Sequence, residues 1–164
     1  HKDEYTDAEY DNYILGSAEV VGLMCLSVFL RGDRRRYATL KPYAMKLGAA
    51  FQKINFLRDL HADFNELGRT YFPGVNMDEF NEKVKREIEK DIEQDFATGY
   101  EGIKMLPKDA RFGVFVAYVY YHKLLRKIKH KPTAEIMSKR IRISNHRKYA
   151  LFFSSYFRHS FNLL

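Results

Sequence analysis

The stretch AMKLGAAFQKINFLRDLHADF, residues 44–64, places two aspartates four residues apart among Leu, Ala, Ile and Phe. It predicts a helix that begins after Pro42 and reaches about Leu67. At 100° per residue, the polar side chains fall within roughly 80° of one another, while apolar residues occupy most of the remaining circumference. Such a narrow strip indicates a helix that lines a polar cavity in an apolar protein. The strip comprises Gln52, Asn55, Asp59, Asp63 and Glu66.

Asp59 and Asp63 are the candidate metal ligands of this strip. Carboxylates at i and i+4 lie on the same side of a helix and repel each other when both are ionised. A divalent cation would relieve this repulsion, and Mg²⁺, with Mn²⁺ as the alternative, accepts one or two carboxylates and further ligands from substrate phosphates. The competing interpretation is an ordinary helix surface with Lys53, Arg58 and His61 as neighbours, because a bare DxxxD pattern is common.

The flanking sequence predicts further helices and no strand, so we expect an all-α fold. In the third predicted helix, apolar residues recur every four residues from Phe80 to Phe96, with charge elsewhere. Capping residues and helix breakers set the expected boundaries. We expect a first helix over about 7–30 and a third helix capped by Asn76 and Glu79. A break over 98–109 should precede a fourth helix over about 109–130, and Ser144 should cap a last helix.

Length and composition narrow the class of protein. A chain of 164 residues with 46% hydrophobic residues suits a single domain or one part of a larger all-helical domain. Its one cysteine, Cys25, excludes an internal disulfide and fits a reducing compartment. Residues 1–11 are polar and charged, so the sequence as given predicts no secretory signal and a cytoplasmic location.

Two features raise the question of membranes and nucleic acids. The apolar run 13–30 approaches the length of a membrane span, but Glu19 and scattered Gly and Ser residues favour a buried helix of a soluble protein. The net charge is +7, yet no zinc-ligand spacing, RNA-binding aromatic motif or basic zipper region predicts nucleic-acid binding. The basic, aromatic last helix suits a peripheral membrane contact, although docking on the core is the preferred interpretation.

The 44–73 segment, AMKLGAAFQKINFLRDLHADFNELGRTYFP, resembles the second aspartate-rich region of the squalene/phytoene synthase family. The shared elements are an alanine, a Leu-Gly pair, Gln, Asn, Arg-Asp, a second Asp and a Gly-Arg-x-Tyr-x-Pro turn. YILGSAEVVGLM, residues 13–24, is similar to the family's Tyr-Cys-x-x-Val-Ala-Gly-x-Val-Gly stretch, although Ile14, Ser17 and Glu19 depart from it. YYHKLLRKIKH and SKRIRIS resemble the closing segment, with Tyr121 and Arg140 as counterparts of its functional residues.

The resemblance implies an isoprenoid-synthase-type helical bundle and head-to-head condensation of two prenyl diphosphates through a cyclopropyl intermediate. It implies that Tyr13, Asp59 and Asp63 are catalytic, with Mg²⁺ on the two aspartates. The remaining positions are implied to bind substrate or to order the loop that closes the site. They are Ser17, Ala18 and Val21 beside the prenyl chain, Gln52, Asn55, Arg58, Tyr121 and Arg140 at the diphosphate, and Arg69 with Tyr71 in the loop.

One element of the family pattern is missing from these 164 residues. The family carries two aspartate-rich motifs, and only the second is present, because Asp3, Asp7 and Asp11 correspond to the acidic lead-in before Tyr13. We therefore expect the C-terminal part of a synthase domain, apparently without its N-terminal helices. Such a part should have an open cavity and little activity alone.

The resemblance leaves several reactions open. Formation of phytoene from two geranylgeranyl diphosphates is preferred, because no membrane anchor and no nicotinamide-binding signature are visible. Squalene or dehydrosqualene synthesis from farnesyl diphosphate is the alternative. A non-catalytic relative that acts as an assembly factor is the rival from another class, although such a scaffold has no need of the polar strip.

Overall fold

The computed structural model of the protein describes residues 5–65, 71–75 and 80–161, and this part of the chain contains helices and turns but no strand. The prediction of an all-α fold is confirmed. The elements are α1 (Asp7–Ile14), a π turn (Leu15–Glu19), α2 (Val20–Phe29), α3 (Arg34–Asn65), α4 (Glu82–Met105), α5 (Lys108–Lys129), α6 (Thr133–Ser138) and α7 (Asn145–Ser160).

The long helix α3 is the central element, and it begins earlier than predicted. It starts at Arg34, where Asp33 Oδ1 accepts a hydrogen bond from the backbone N–H of Arg36 at 3.0 Å, and it continues through Pro42. The predicted start after Pro42 was wrong because the turns before the proline are held by packing. Leu40 is buried with Leu26, Leu30 and Leu106, which offsets the hydrogen bond that proline cannot donate.

The first predicted helix is interrupted by the π turn. A capping box starts α1, with Thr6 and Glu9 each bonded to the backbone N–H of the other. Within the π turn, Ser17 Oγ donates to the Tyr13 carbonyl at 2.6 Å, and a hydroxyl bonded in this way competes with the backbone ladder. Single π turns inside α-helices often occur at functional sites.

The expected burial of this first helix was wrong for one of its faces. The side facing α3 is packed, but Val21, Met24 and Val28 are 51%, 65% and 73% exposed. Within the described residues, Asp7–Phe29 is also the helix that is long and apolar enough, by length and composition, to cross a membrane. An apolar helix face is therefore open beside the cavity described below.

Helix α4 starts and ends differently from the prediction. Asn81, whose Oδ1 accepts from the N–H groups of Lys83 and Val84, caps it, whereas the proposed cap residues Asn76 and Glu79 lie outside the described residues. The expected break over 98–109 is confined to Leu106 and Pro107, since α4 runs to Met105 and α5 begins at Lys108. The two glycines in this stretch let α4 approach α3 closely. A Cβ at Gly99 would lie 2.9 Å from Leu47 Cβ, and a Cβ at Gly102 would lie 2.4 Å from Tyr43 Cβ.

Helix α7 docks on α5 through one side only. Ser155 is buried, and the Phe112 ring of α5 lies 5.6 Å from the Phe152 ring and 6.0 Å from the Tyr156 ring, between centroids. Ser144 occupies the N-cap position with extended backbone but makes no side-chain capping hydrogen bond, contrary to the prediction. The expected docking on the core is therefore partial, and most aromatic side chains of α7 remain exposed.

The crossing of the π turn over α3 depends on Gly48. A Cβ at this position would lie 2.7 Å from the backbone oxygen of Ala18, which is closer than side chains approach in proteins. We expect Gly48→Ala to lower the free energy of unfolding by about 1–3 kcal/mol, as overpacking does, measured by urea denaturation. Gly113→Ala is the control, because nothing lies within 4 Å of its Cβ and alanine favours the helix. Equal stability of the two variants would contradict the close crossing.

Candidate active site

A cavity of about 590 Å³ lies between α2, α3, α4 and α5, a volume typical of ligand pockets. It follows α3 from Leu40 to Gln52, a distance of about 18 Å at 1.5 Å per residue. Its walls are almost entirely apolar, and many of the lining residues are Gly or Ala. Three of the predicted wall residues, Ser17, Ala18 and Val21, line it from the α2 side, and Gln52 lines it from α3. The cavity can therefore accommodate a long apolar group.

Polar groups continue along α3 beyond the Gln52 end of this cavity. Asp59, about 10 Å further along the helix, receives a bidentate hydrogen bond from Arg58, with Nε–Oδ1 at 3.0 Å and Nη2–Oδ2 at 2.5 Å. Arg140, which lies beyond α6, brings its Nε to 2.7 Å from Asp59 Oδ1. The structure thus brings the predicted site residue Arg140 from a distant part of the sequence to the neighbouring Arg58 and Asp59. It places two guanidinium groups, which bind phosphates well, on one carboxylate.

The Arg58 guanidinium stays positively charged in this setting. Its hydrogen bond with Asp59 raises the pKa of Arg58 above the ordinary value, burial opposes this, and the nearby Tyr120 and Tyr121 of α5 add to the rise. Tyr121 also stacks on Phe51 of α3, with ring centroids 4.2 Å apart. The predicted substrate-binding residues Arg58, Tyr121 and Arg140 therefore converge on one region from α3, α5 and the segment after α6.

Asn55 has an unusual environment between the cavity and Asp59. Its side-chain oxygen is buried and has no hydrogen-bond partner among the described residues. A buried acceptor without a partner costs about 1–3 kcal/mol, so a site that keeps one is expected to receive a donor or a cation from a ligand. This environment fits the predicted role of Asn55 in holding a diphosphate or its ions.

The donor set suits Mg²⁺ only in combination with a ligand. Asp63 lies one turn after Asp59, half-buried, near the end of α3, and Asn55 supplies the unpaired oxygen. Among the described residues, no group of three or more His, Cys, Asp or Glu side chains could hold a metal. Mg²⁺ commonly binds through only one or two carboxylates, with its other ligands from water and phosphate, so these residues fit the ion in the presence of a phosphorylated substrate.

Tyr13 lies in an aromatic cluster that packs against Phe56 of α3. Its ring centroid is 5.7 Å from that of Phe56 and 5.4 Å from that of Tyr71, and Tyr71 stacks on Phe56 at 4.3 Å. Tyr13 is about one-third exposed. Arg69 and the strip residue Glu66 lie outside the described residues.

A partly buried charge network between α3 and α4 was missed by the sequence analysis. Lys53 Nζ lies 2.5 Å from Asp91 and 2.7 Å from Asp95 of α4, and Lys46 reaches the other oxygen of Asp95 at 2.8 Å. Burial alone would lower the pKa of Lys53, but the hydrogen bonds to the two aspartates outweigh it and raise the pKa. Burial, with smaller contributions from the same aspartates, raises the pKa of Tyr10 on α1. The ion pairs themselves join α3 to α4. The sequence feature that could have indicated this network is the i, i+4 spacing of Asp91 and Asp95.

Comparisons with known proteins agree with this architecture. The family model for squalene/phytoene synthase matches residues 1–147. The chain is 31% identical over 144 residues to a 15-cis-phytoene synthase of Synechocystis sp., a match that covers 73% of the chain and 42% of that protein. It is 33% identical over 86 residues to a 4,4'-diapophytoene synthase of Staphylococcus haemolyticus, covering 52% of the chain and 29% of that protein.

The chain thus spans less than half the length of these curated relatives. The family match extends from the Tyr13 segment, through the aspartate strip of α3, to the segment of Arg140 and the start of α7. The chain therefore belongs to the squalene/phytoene synthase family.

Proposed function

We propose that this chain belongs to a Mg²⁺-dependent prenyltransferase that condenses two geranylgeranyl diphosphates head-to-head to phytoene, in carotenoid biosynthesis. One observation carries the proposal: the apolar cavity along α3 leads, past Gln52 and Asn55, to the paired charges of Arg58, Asp59 and Arg140. This order matches a ligand with a long hydrocarbon tail and an anionic head. A prenyl diphosphate has that form.

In the proposed reaction, the tail lies against Ala18 and Val21 and the diphosphate lies beside Arg58 and Arg140. The C–O bond of one substrate breaks, its diphosphate leaves with the electron pair, and the double bond of the second substrate attacks the allylic carbon. Closure of the cyclopropyl ring, giving prephytoene diphosphate, releases one proton. We assign Tyr13 to steadying the cation or relaying that proton, because its partly exposed ring packs against Phe56, which lies beside the polar strip of α3.

Bound Mg²⁺ would neutralise the charge that develops on the leaving diphosphate. Asp59 and Asp63 would hold it, and the orphaned oxygen of Asn55 would face the ion or its water. Without substrate, Arg140 neutralises Asp59. In the proposed complex, the same guanidinium would turn from Asp59 to a phosphate oxygen.

A second candidate is the condensation of two farnesyl diphosphates to a thirty-carbon product. The similarity to a 4,4'-diapophytoene synthase favours it. The two reactions differ in the length of the prenyl tail and therefore in the depth of cavity that they need. Leu26, Phe29, Leu40 and Leu106 line the end of the cavity remote from Gln52, so their bulk sets this depth.

The test is incubation with geranylgeranyl or farnesyl diphosphate and Mg²⁺, followed by mass spectrometry of the extracted hydrocarbon. The protein is used with any residues that its gene encodes upstream of His1, and the 164-residue chain alone is assayed in parallel. We expect a forty-carbon product from the longer form and little turnover from the chain alone. A thirty-carbon product would select the second candidate, and no diphosphate release from either form would contradict both.

A further inference from the structure

The exposed face of α7 carries a ridge of aromatic side chains, Tyr149, Phe153, Phe157 and Phe161, at four-residue spacing. These four are between 58% and 70% exposed. At 100° per residue they point to the side opposite Ser155, which is 1% exposed and faces α5. Contiguous exposed apolar groups of this size mark interaction sites. The aromatic ridge is therefore a surface for a partner rather than part of the core.

A basic pocket lies at the N-terminal end of this ridge. Its volume is about 230 Å³, and none of the described residues that line it is acidic. Lys127 Nζ donates to the Arg142 carbonyl at 2.5 Å, and Lys131 pairs with Glu135 at 3.0 Å, so part of the cluster is fixed in place. The lining residues are Lys123, Arg126, Lys127, His130, Lys131, Ile143 and Arg147.

The pocket and the ridge are continuous along α7. Arg147 lines the basic pocket, Lys148 follows, and Tyr149 begins the ridge. An apolar groove between α5 and α7 adjoins them, and Lys148 and the ridge residues Tyr149 and Phe153 are among the residues that line it. This surface is positively charged at one end and aromatic along the rest. A contact with another protein through apolar side chains alone would not require the charged end.

We propose that α7 and the basic pocket form an interfacial surface that binds a bilayer containing anionic phospholipid. Lipid phosphates are taken by the basic pocket, and the aromatic ridge enters the boundary between headgroups and acyl chains, where Phe and Tyr side chains are favourable. Each cation near an anionic leaflet adds about a factor of five to binding at low salt. The inference uses only α5, α7 and the segment between them, so it stands independently of the reaction proposed above.

The test is sedimentation with vesicles of phosphatidylcholine alone or mixed with phosphatidylglycerol, on the protein with any residues that its gene encodes upstream of His1. The charge variant is Lys123→Gln, Arg126→Gln and Arg147→Gln together, and the control is Lys83→Gln, Arg86→Gln and Lys90→Gln on α4. Each variant loses three positive charges, and all six side chains are exposed.

We expect the unmodified protein and the α4 control to bind the mixed vesicles and not pure phosphatidylcholine. The charge variant should bind roughly a hundredfold more weakly. Equal loss in both variants, binding independent of phosphatidylglycerol, or full binding by the charge variant would overturn the proposal.

Insertion of the ridge has its own readout because the 164 residues contain no tryptophan. Phe157→Trp places a fluorophore on the ridge, and its emission should move to shorter wavelength when mixed vesicles are added. An emission already at short wavelength and unchanged by vesicles would show that protein covers the ridge, either an upstream segment or a second copy. That result would overturn the membrane assignment, and light scattering would then identify a dimer.

Discussion

Replacing Asp59 and Asp63 together by Asn is expected to reduce Mg²⁺-dependent diphosphate release by roughly a thousandfold, because metal stabilisation of a leaving group contributes several kcal/mol. The substitution keeps the shape of both side chains but removes the two charges that would hold the ion. Asp59→Asn also weakens the contacts with Arg58 and Arg140, so unfolding must be measured beside activity. The assay is release of inorganic diphosphate against Mg²⁺ concentration, on the protein with any residues that its gene encodes upstream of His1.

Glu101→Gln on α4 is the matched control, since it removes one carboxylate from an exposed pair with Lys104 and such pairs contribute little. Its activity should be unchanged. If the double variant released diphosphate at the rate of the unmodified protein, the carboxylates of α3 would have no role in the reaction. A non-catalytic relative would show no Mg²⁺-dependent release in any of these proteins.

Lys53→Met is expected to cause the largest loss of stability, about 3 kcal/mol, because it leaves the carboxylate of Asp95 buried with one fewer cation. The side chains of Lys53 and Asp95 are only 10% and 4% exposed, and Lys46 remains as the second partner of Asp95. Methionine keeps the length of the apolar stem, so the effect comes from the charge. Urea unfolding followed by circular dichroism measures the change.

Two further variants separate this effect from a general loss of charge. Lys129→Met breaks the pair with Glu93 that joins α5 to α4 at the surface, and it should cost less than about 1 kcal/mol. Adding Asp95→Leu to Lys53→Met should recover part of the stability, because the stranded charge is then removed. A Lys53→Met protein as stable as the Lys129→Met protein would contradict the buried network.

The polar strip of α3 could be predicted because its periodicity is a local property of the sequence. Gln52, Asn55 and Asp59 share one helix face in any regular helix, whatever surrounds them. The convergence of Arg140 on Asp59 could not be derived from periodicity, since it depends on how the segment after α6 packs on α3. The family resemblance indicated Arg140 without indicating its partner.

The wrong predictions share a physical cause, namely tertiary packing that overrides local signals. Pro42 and the glycines near residue 100 are helix breakers in isolation, yet α3 and α4 continue through them because Leu40 is buried and Gly102 allows contact with Tyr43. The π turn contains the hydrogen bond from the Ser17 hydroxyl to the Tyr13 carbonyl, and a serine at this position is no sequence signal for such a turn. From the sequence alone Lys53 is an ordinary surface lysine, because its partners Asp91 and Asp95 belong to a different helix, α4.

The central claim is that the strip of α3 holds a divalent ion and a prenyl diphosphate. The most direct measurement is a crystal structure with Mn²⁺ and a non-hydrolysable prenyl thiodiphosphate, using anomalous scattering to locate the ion, on the protein with any residues that its gene encodes upstream of His1. We predict a peak within coordination distance of Asp59 or Asp63, with the diphosphate beside Arg58 and the tail in the cavity towards Leu40. An ion and diphosphate bound away from α3, with Arg140 still paired to Asp59, would contradict the account.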